Sequence, residues 1–484
     1  MDSFHKKKQQ RPTLIQSFLV LGLFLLMACS FTTVFELPVL LALFFGWFLV
    51  MGLGLKLGYQ YRELEEAAAF GIFEGMPALL ILFAVGAMIG SWIAGGIVPG
   101  IIYYGLATIH PSFFLPTTLF ICSLTALATG TSWGAAGTAG IAMMGIGEGL
   151  GIPSPLTAGA VLSGVYFGDK LSPLSDSVLL ASSMSGVEIR AHIKGMLPIS
   201  LTAYIITAIL FSASSILYQG HGNLDQISTI MSALQENFSI SPLAFLPPAL
   251  VMLLLAFRKP AFPVISMGSF MGVLAAILLQ DSELTPAISS IWQLPKLNSG
   301  IALIDTLLSR GGMLSIMPSV AMITFGLGFG SLLVKVGIVK LLANRLEKYV
   351  TNEARLTGCT LLTAFLGNLL GSAMYVSLIL APKLMAATSD ALGADRRLLS
   401  RNTEFGGTLT SGMVPWSDNG TFMAGILGVS TLSYLPFMWL SWLSIILALG
   451  VSAVRTWQGK TTKFSESGQI SHLTTNSLLS KDNS

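Results

Sequence analysis

The sequence predicts an all-α polytopic membrane protein of two inverted-topology repeats, each with about five transmembrane helices, one re-entrant hairpin and one broken helix. Three observations carry that expectation. Of 484 residues, 53% are hydrophobic and only 10% charged, with a mean hydropathy of +0.75, whereas a soluble chain is about 25% charged. The apolar residues form runs near or above the ~20 that a helix needs to cross a bilayer, without the period-two alternation of barrel strands. Short motifs also recur about 240 residues apart. The net charge of +3, from 26 basic and 23 acidic residues, leaves no basic face to follow a phosphate backbone, so nucleic acid is excluded as a partner. Cys29, Cys122 and Cys359 are scattered through apolar stretches and read as packing residues, not as a disulfide framework or metal site.

Taken in order, Leu14 to Leu55 contains one charge, Glu36, and predicts two spans joined near Glu36-Leu37-Pro38; it is too long for a cleaved signal peptide. No charge occurs between Gly75 and Gly147. Pro99, Pro111, Pro116 and Gly95-Gly96 divide that run into a span at about 76–96, a connector, and two half-length pieces around Gly130 that form a hairpin at about 112–147. A broken helix covers about 155–182. Further runs lie at about 196–218, 241–257, 260–280 and 313–335; a second hairpin covers about 356–388, a second broken helix about 402–430, and a last run ends near 454. Fifty glycines suit close helix packing and deliberate breaks in lipid. The expected organisation is a basic cytoplasmic tail (1–13), a first repeat (14–218), an external loop (219–240), a second repeat (241–455) and a disordered cytoplasmic tail (456–484).

Loop charges orient the chain. Lys6, Lys7, Lys8 and Arg11, then Lys56 and Arg62, Arg190 to Lys194, Arg258-Lys259, Lys335 to Arg355, Arg396 to Arg401 and Arg455 should all be cytoplasmic, and 219–240, without Lys or Arg, external. The count closes if each hairpin enters and leaves on one side, the first opening outward and the second inward. Gly86-x3-Gly90-Ser91 recurs as Gly326-x3-Gly330-Ser331, Pro173-x-Ser175-Asp176 as Pro415-x-Ser417-Asp418, and Gly130-Thr131-Ser132 falls opposite Gly371-Ser372-Ala373. Five crossings and a hairpin per half make the second copy inverted, a secondary-transporter pattern.

Ionisable residues at mid-membrane cost about 2.5–3.5 kcal/mol on insertion scales, so each needs a reason. Asp169, Ser172, Ser175 and Asp176 surround the Pro173 break; Asn402, Thr403 and Glu404, then Ser417, Asp418 and Asn419, surround the Pro415 break. The tips add Thr131 and Ser132 in the first hairpin and Asn368 with Gly371-Ser372 in the second. Carboxylates, hydroxyls and freed carbonyls are hard oxygen ligands for a small alkali cation. The expectation is one cation site per half, with Na+ at Thr131, Ser132, Asp169 and Asp176 and the other residues completing cation and proton binding. A carboxylate there is a site at which sodium and proton compete. Blander readings stand beside this: Asp169 paired with Lys170, Asp176 and Asp418 as helix caps, Glu404 paired with Arg396 to Arg401 at the surface. Glu36, Glu74 and Glu148 fall at span ends. The five histidines (His5, His110, His192, His221, His472) lie in tails or loop ends, away from any relay.

Gly130-Thr131-Ser132-Trp133-Gly134, Met144-Gly145-Ile146-Gly147 and Gly168-Asp169-Lys170-Leu171-Ser172-Pro173-Leu174-Ser175-Asp176 closely resemble the NhaC family of bacterial sodium/proton antiporters. So do Arg401-Asn402-Thr403-Glu404, Gly407-Thr408-Leu409-Thr410-Ser411 and Pro415-Trp416; the resemblance covers roughly 70–455. The chain departs from it at Phe405-Gly406 and at Ser417-Asp418. The resemblance implies sodium extrusion coupled to proton uptake in a bacterial cytoplasmic membrane or, in some relatives, exchange of carboxylates such as malate and lactate. Arginine inside the core would favour the second, and the sequence points to none. No ATP-binding motif and no cofactor is expected, and no enzyme: an intramembrane aspartyl protease would carry Gly-x-Gly-Asp, and Asp169 follows Tyr166-Phe167-Gly168. The expected partners are Na+, H+ and the bilayer, with small carboxylates as a second class of cargo and a homodimer as a compatible assembly.

Overall fold

The computed structural model describes residues 9–218, 224–257, 259–294 and 311–458. Lys6, Lys7, Lys8, Arg258, His5, His221, His472 and nearly all of the carboxy-terminal tail lie outside them. Among the described residues every regular element is helical. Seven helices are long and apolar enough to cross a membrane, or ten if each bent pair is one span.

The opening pair forms as expected, Leu14–Thr33 and Val39–Lys56, with Glu36 at φ 53° in the turn. Four elements lie outside the apolar runs, the short helix Leu284–Trp292 among them. Tyr61–Glu74 and Ile338–Glu347 carry charges on one face, Arg62, Glu63 and Glu66 in the first and Lys340 and Arg345 in the second, so neither reads as a run. The predicted external loop contains a helix at Leu224–Asn237, as polar as a loop in composition but helical in period. Boundaries also move. The span expected from 196 starts at Ile189, and the broken helix expected from 402 starts at Arg396, because each opens on a charged turn after an acidic N-cap residue, Glu188 or Asp395.

The polar breaks fall where the prolines and glycines put them. The first hairpin is Phe114–Thr129, then Gly130 in the left-handed region at φ 70°, then Ser132–Ala135 continuing through one π-turn into Ile141–Gly149. The second is Glu353–Gly371, Ser372 at φ 56°, and Met374–Ala391. The broken helices are Ser154–Leu171 with Asp176–Met184, and Arg396–Ser411 with Asp418–Leu427. Pro173 and Pro415 lie within the two interruptions, where their lack of an N–H is no loss.

Each broken helix packs on the first helix of its own hairpin through glycine. A Cβ on Gly164 would sit 2.6 Å from the Leu119 carbonyl oxygen, and one on Gly406 would sit 2.6 Å from that of Leu361. Both glycines and both carbonyls are 242 residues apart. Two further carbonyls at the same spacing, Leu127 and Leu369, also accept from the breaks, though from non-equivalent donors: Ser172 Oγ at 2.9 Å and Trp416 Nε1 at 2.8 Å.

These approaches leave no room for a side chain. Gly164→Val and Gly406→Val are each expected to lower stability by about 1–3 kcal/mol, read as a reduced thermal midpoint in detergent. Gly450→Ala, where nothing lies within 4 Å of the new Cβ, should not lower it.

Candidate functional site

The two tips and two breaks meet around two buried aspartates. Asp169, 3% exposed, lies in the last turn of Ser154–Leu171. Ser132, through its side chain and N–H, and Ser175 face its carboxylate, while Oδ1 has no hydrogen-bond partner. Asp418, 5% exposed, opens the helix after the second break. Its two oxygens accept from the Met374 N–H at 3.3 and 3.4 Å, and Oδ1 accepts from the Asn419 N–H at 2.6 Å. Each buried carboxylate thus sits at the amino-terminal end of a hairpin's second helix, where free N–H groups and the helix dipole favour negative charge. The two come from opposite sides of their breaks. Asp176, which occupies Asp418's position in the first half, is exposed instead. Tyr375 lies within electrostatic reach of Asp169, Asp176 and Asp418, and the buried Tyr166 hydroxyl within reach of Asp169 and Asp418.

The halves hold each other's polar segments. Trp133, in the first tip, donates from Nε1 to Asn419 Oδ1 at 2.7 Å and stacks on Phe422 with ring centroids 4.0 Å apart. In the other direction Asp176–Met184 packs on Met374–Ala391 and Arg396–Ser411, and Ser177 Oγ donates to Glu404 Oε1 at 2.9 Å.

That bond belongs to a longer chain of exchangeable groups. Ser175, beside Asp169, lies 3.0 Å from Ser177 Oγ. Ser177 reaches Glu404, whose free Oε2 lies 4.0 Å from the free Nε2 of His192. His192 Nδ1 lies 2.5 Å from Ser400 Oγ. Both Glu404 and His192 are fully buried. This removes one of the alternative readings and corrects one expectation. Glu404 is not paired with the basic segment at the surface, because Arg396 pairs with Asp390 and Arg397 with Asp395. His192 is not at a loop end: the early start of Ile189–Leu217 carries it into the bundle. Lys170 also turns away from Asp169; its Nζ donates to Ser444 Oγ at 3.4 Å and lies 4.8 Å from the centre of the Phe405 ring.

The remaining predicted residues divide. Thr131 caps Ser132–Ala135 by accepting from the Gly134 N–H at 3.4 Å, and Ser417 caps the second restart by accepting from the Gly420 N–H at 2.9 Å. Ser172 accepts from the Leu174 N–H at 3.3 Å within the first break. Asn368 donates to the Gly407 carbonyl at 2.7 Å and to Thr410 at 2.9 Å, leaving Oδ1 free. Thr403 is buried with its hydroxyl unpaired, and Asn402 instead faces Arg401 and Thr357. Tyr166, Tyr375 and Ser177 were not picked out, since aromatics and lone serines in apolar helices carry no contrast. Neither was Arg401: it is only 7% exposed, so the core does hold an arginine.

The buried oxygens without partners include Asp169 Oδ1, the Tyr166 hydroxyl, Asn368 Oδ1 and Ser372 Oγ. Oxygen donors at helix ends suit a hard monovalent cation. Among the described residues no group of three or more His, Cys, Asp or Glu could hold a metal ion.

A family profile described as the Na+/H+ antiporter family matches residues 164–454. The malate-2H+/Na+-lactate antiporter of Bacillus subtilis (strain 168) is 53% identical over 444 residues, 92% of this chain and 95% of that protein. The Na+/H+ antiporter NhaC of Alkalihalophilus pseudofirmus is 32% identical over 91% of this chain and 96% of its own. The arginine/ornithine antiporter ArcD of Halobacterium salinarum is 35% identical over 81% of each.

The link between the halves can be measured. In a double-mutant cycle of Trp133→Phe and Asn419→Leu, a coupling of about 0.5–3 kcal/mol in thermal stability is expected. Additive losses would show that the Trp133 hydrogen bond does not tie the tip to the second break.

Proposed function

The chain belongs to the Na+/H+ antiporter family, and we propose that it exchanges Na+ for H+ across the cytoplasmic membrane by alternating access, with Asp169 as the group for which the two ions compete. The observation that carries this reading is the buried Asp169 carboxylate with an unpartnered oxygen, facing Ser132 at a hairpin tip and Ser175 in a helix break. A cation bound there gains a full charge, hydroxyls and backbone oxygens in a low dielectric, and a proton displaces it by neutralising the same carboxylate. Thr131 and Ser132 supply further oxygens, and Asp176, exposed beside Tyr375, receives the ion at the mouth. Asp418 with Asn419, Asn368 and Ser372 is the related site of the second half. Protons leave Asp169 through Ser175, Ser177 and Glu404 to His192, with Asn402 and Thr403 on the same helix as Glu404; Ser417 holds the second break in shape.

Alternating access follows if the halves are inverted copies whose hairpins open to opposite sides. The 242-residue spacing of Gly164, Gly406 and their carbonyl contacts supports that reading, as does the loop charge pattern that makes both termini cytoplasmic.

A second reading is favoured by the 53% identity to a malate/lactate antiporter, against 32% to a named Na+/H+ antiporter. On it, the same ions drive exchange of small carboxylates.

Purified protein in liposomes, given sodium, lithium, potassium, malate and lactate gradients in turn while internal pH is followed, distinguishes the two. Sodium alone should move protons. Asp169→Asn and Asp418→Asn should reduce that movement to background while leaving insertion intact, and full sodium-dependent flux in Asp169→Asn would reject the assignment. Asp176→Asn should raise the KM for sodium at least about tenfold, a loss of ~1.4 kcal/mol of binding. His192→Gln should slow exchange about a hundredfold, the lower end of general acid–base effects, whereas exposed His110→Gln should not.

A further inference from the structure

The helices Ile189–Leu217, Arg396–Ser411 and Trp439–Trp457 line an open pocket of about 410 Å³, whose lining includes neither Asp169 nor Asp418. Its charged lining is Lys194, Asp395, Arg397, Arg401 and Arg455. That is four cations against one carboxylate. Arg397 is committed to Asp395, with Nε 2.7 Å from Oδ2, and Arg455 lies 3.7 Å from Glu353 Oε1. With Glu353 counted, two positive charges remain uncompensated. Among the described residues neither Lys194 nor Arg401 has a carboxylate within 4.0 Å.

Arg401 decides the matter, because it is 7% exposed and the carboxylate that acts on it, Glu353, lies beyond ion-pair distance and is shared with Arg455; a buried guanidinium so weakly paired is costly. Its Nε and Nη2 both donate to one atom, Asn402 Oδ1, at 3.2 and 3.1 Å; Nη1 makes no hydrogen bond to a described residue. The neighbouring amide is fixed in turn: Asn402 Nδ2 donates to Thr357 Oγ1 at 3.0 Å, and that hydroxyl lies 2.8 Å from Ser452 Oγ. A chain of buried polar groups from Trp439–Trp457 through Glu353–Gly371 thus holds the guanidinium in place with a free edge. A planar fork held so is suited to a carboxylate. Lys194, on a different helix, is exposed and is the second lining cation without a carboxylate within ion-pair distance, so a ligand with two anionic ends would engage both.

We propose that this pocket binds a small dicarboxylate dianion, one carboxylate on Arg401 and the other on Lys194. The proposal rests on the carboxylate-exchange reading for its biological cargo, though the charge argument does not depend on it. The site would lie next to the proton path, since Ser400, which contacts His192, adjoins Arg401 in sequence. An anionic lipid headgroup offers similar chemistry and is separated from a free dicarboxylate by the test.

Full-length protein in detergent, without sodium, is titrated calorimetrically with malate and succinate. Saturable binding is expected, weakened at least tenfold by Arg401→Gln and by Lys194→Gln, less by Arg401→Lys, and at least tenfold weaker for lactate. Thermal midpoints of the variants show whether they remain folded; if Arg401→Gln does not, Lys194→Gln and the lactate comparison carry the test. Equal binding by wild type and the folded variants, or no dicarboxylate binding by wild type, overturns the proposal. So does an Arg401-dependent stabilisation by phosphatidylglycerol nanodiscs that dicarboxylate does not compete away. Sodium-driven proton movement without carboxylate, measured after the same protein is reconstituted into liposomes, separates the readings: its absence in a wild type that binds malate rejects sodium/proton exchange and leaves this site standing.

Discussion

The structure depends on one constraint: a helix interrupted inside hydrocarbon must find partners for the N–H and C=O groups it releases, because water is absent and each unmatched group costs several kcal/mol. This chain interrupts four helical segments and settles the groups largely between segments. The Leu127 and Leu369 carbonyls accept from Ser172 and Trp416, the Asp418 N–H donates to the Ser372 carbonyl, and the Met374 N–H meets the Asp418 carboxylate. A break satisfied by its neighbour cannot lie apart from it. The convergence of tips and broken helices is therefore a result of backbone bookkeeping, and the polar locus forms because the segments holding Asp169 and Asp418 are the ones that must meet.

The same constraint keeps two carboxylates ionisable in an apolar bundle. Neither Asp169 nor Asp418 has an ion-pair partner among the described residues. What stabilises them are helix amino termini, hydroxyls and N–H groups, and these satisfy only part of each carboxylate's acceptor capacity. A site that was fully paired would hold its charge too well to exchange anything. Glu404, with one oxygen bound to Ser177 and the other free 4.0 Å from His192, has the same half-satisfied character.

Much of this was legible from residue order alone. Charge-free runs marked most spans, and Pro173, Pro415, Gly130 and Gly371-Ser372 marked the interruptions, since these residues act through the backbone and need no partner to be recognised. Residues whose role lies in what they face were not legible. His192 read as a loop residue because a helix start moved by seven positions; Arg401 read as surface charge because nothing in the chain shows that Arg396 and Arg397 stay outside while the next turn goes in. Tyr166 and Tyr375 vanish among other aromatics. Tyr61–Glu74 and Ile338–Glu347 were missed because amphipathic helices dilute the run of apolar residues on which a span is recognised.

The bond and stacked rings that fasten Trp133 to Asn419 and Phe422 have a mechanical consequence. With one half's tip bolted to the other half's break, neither polar segment shifts without carrying the other. Loosening that bolt would uncouple the two segments while leaving each folded on its own half.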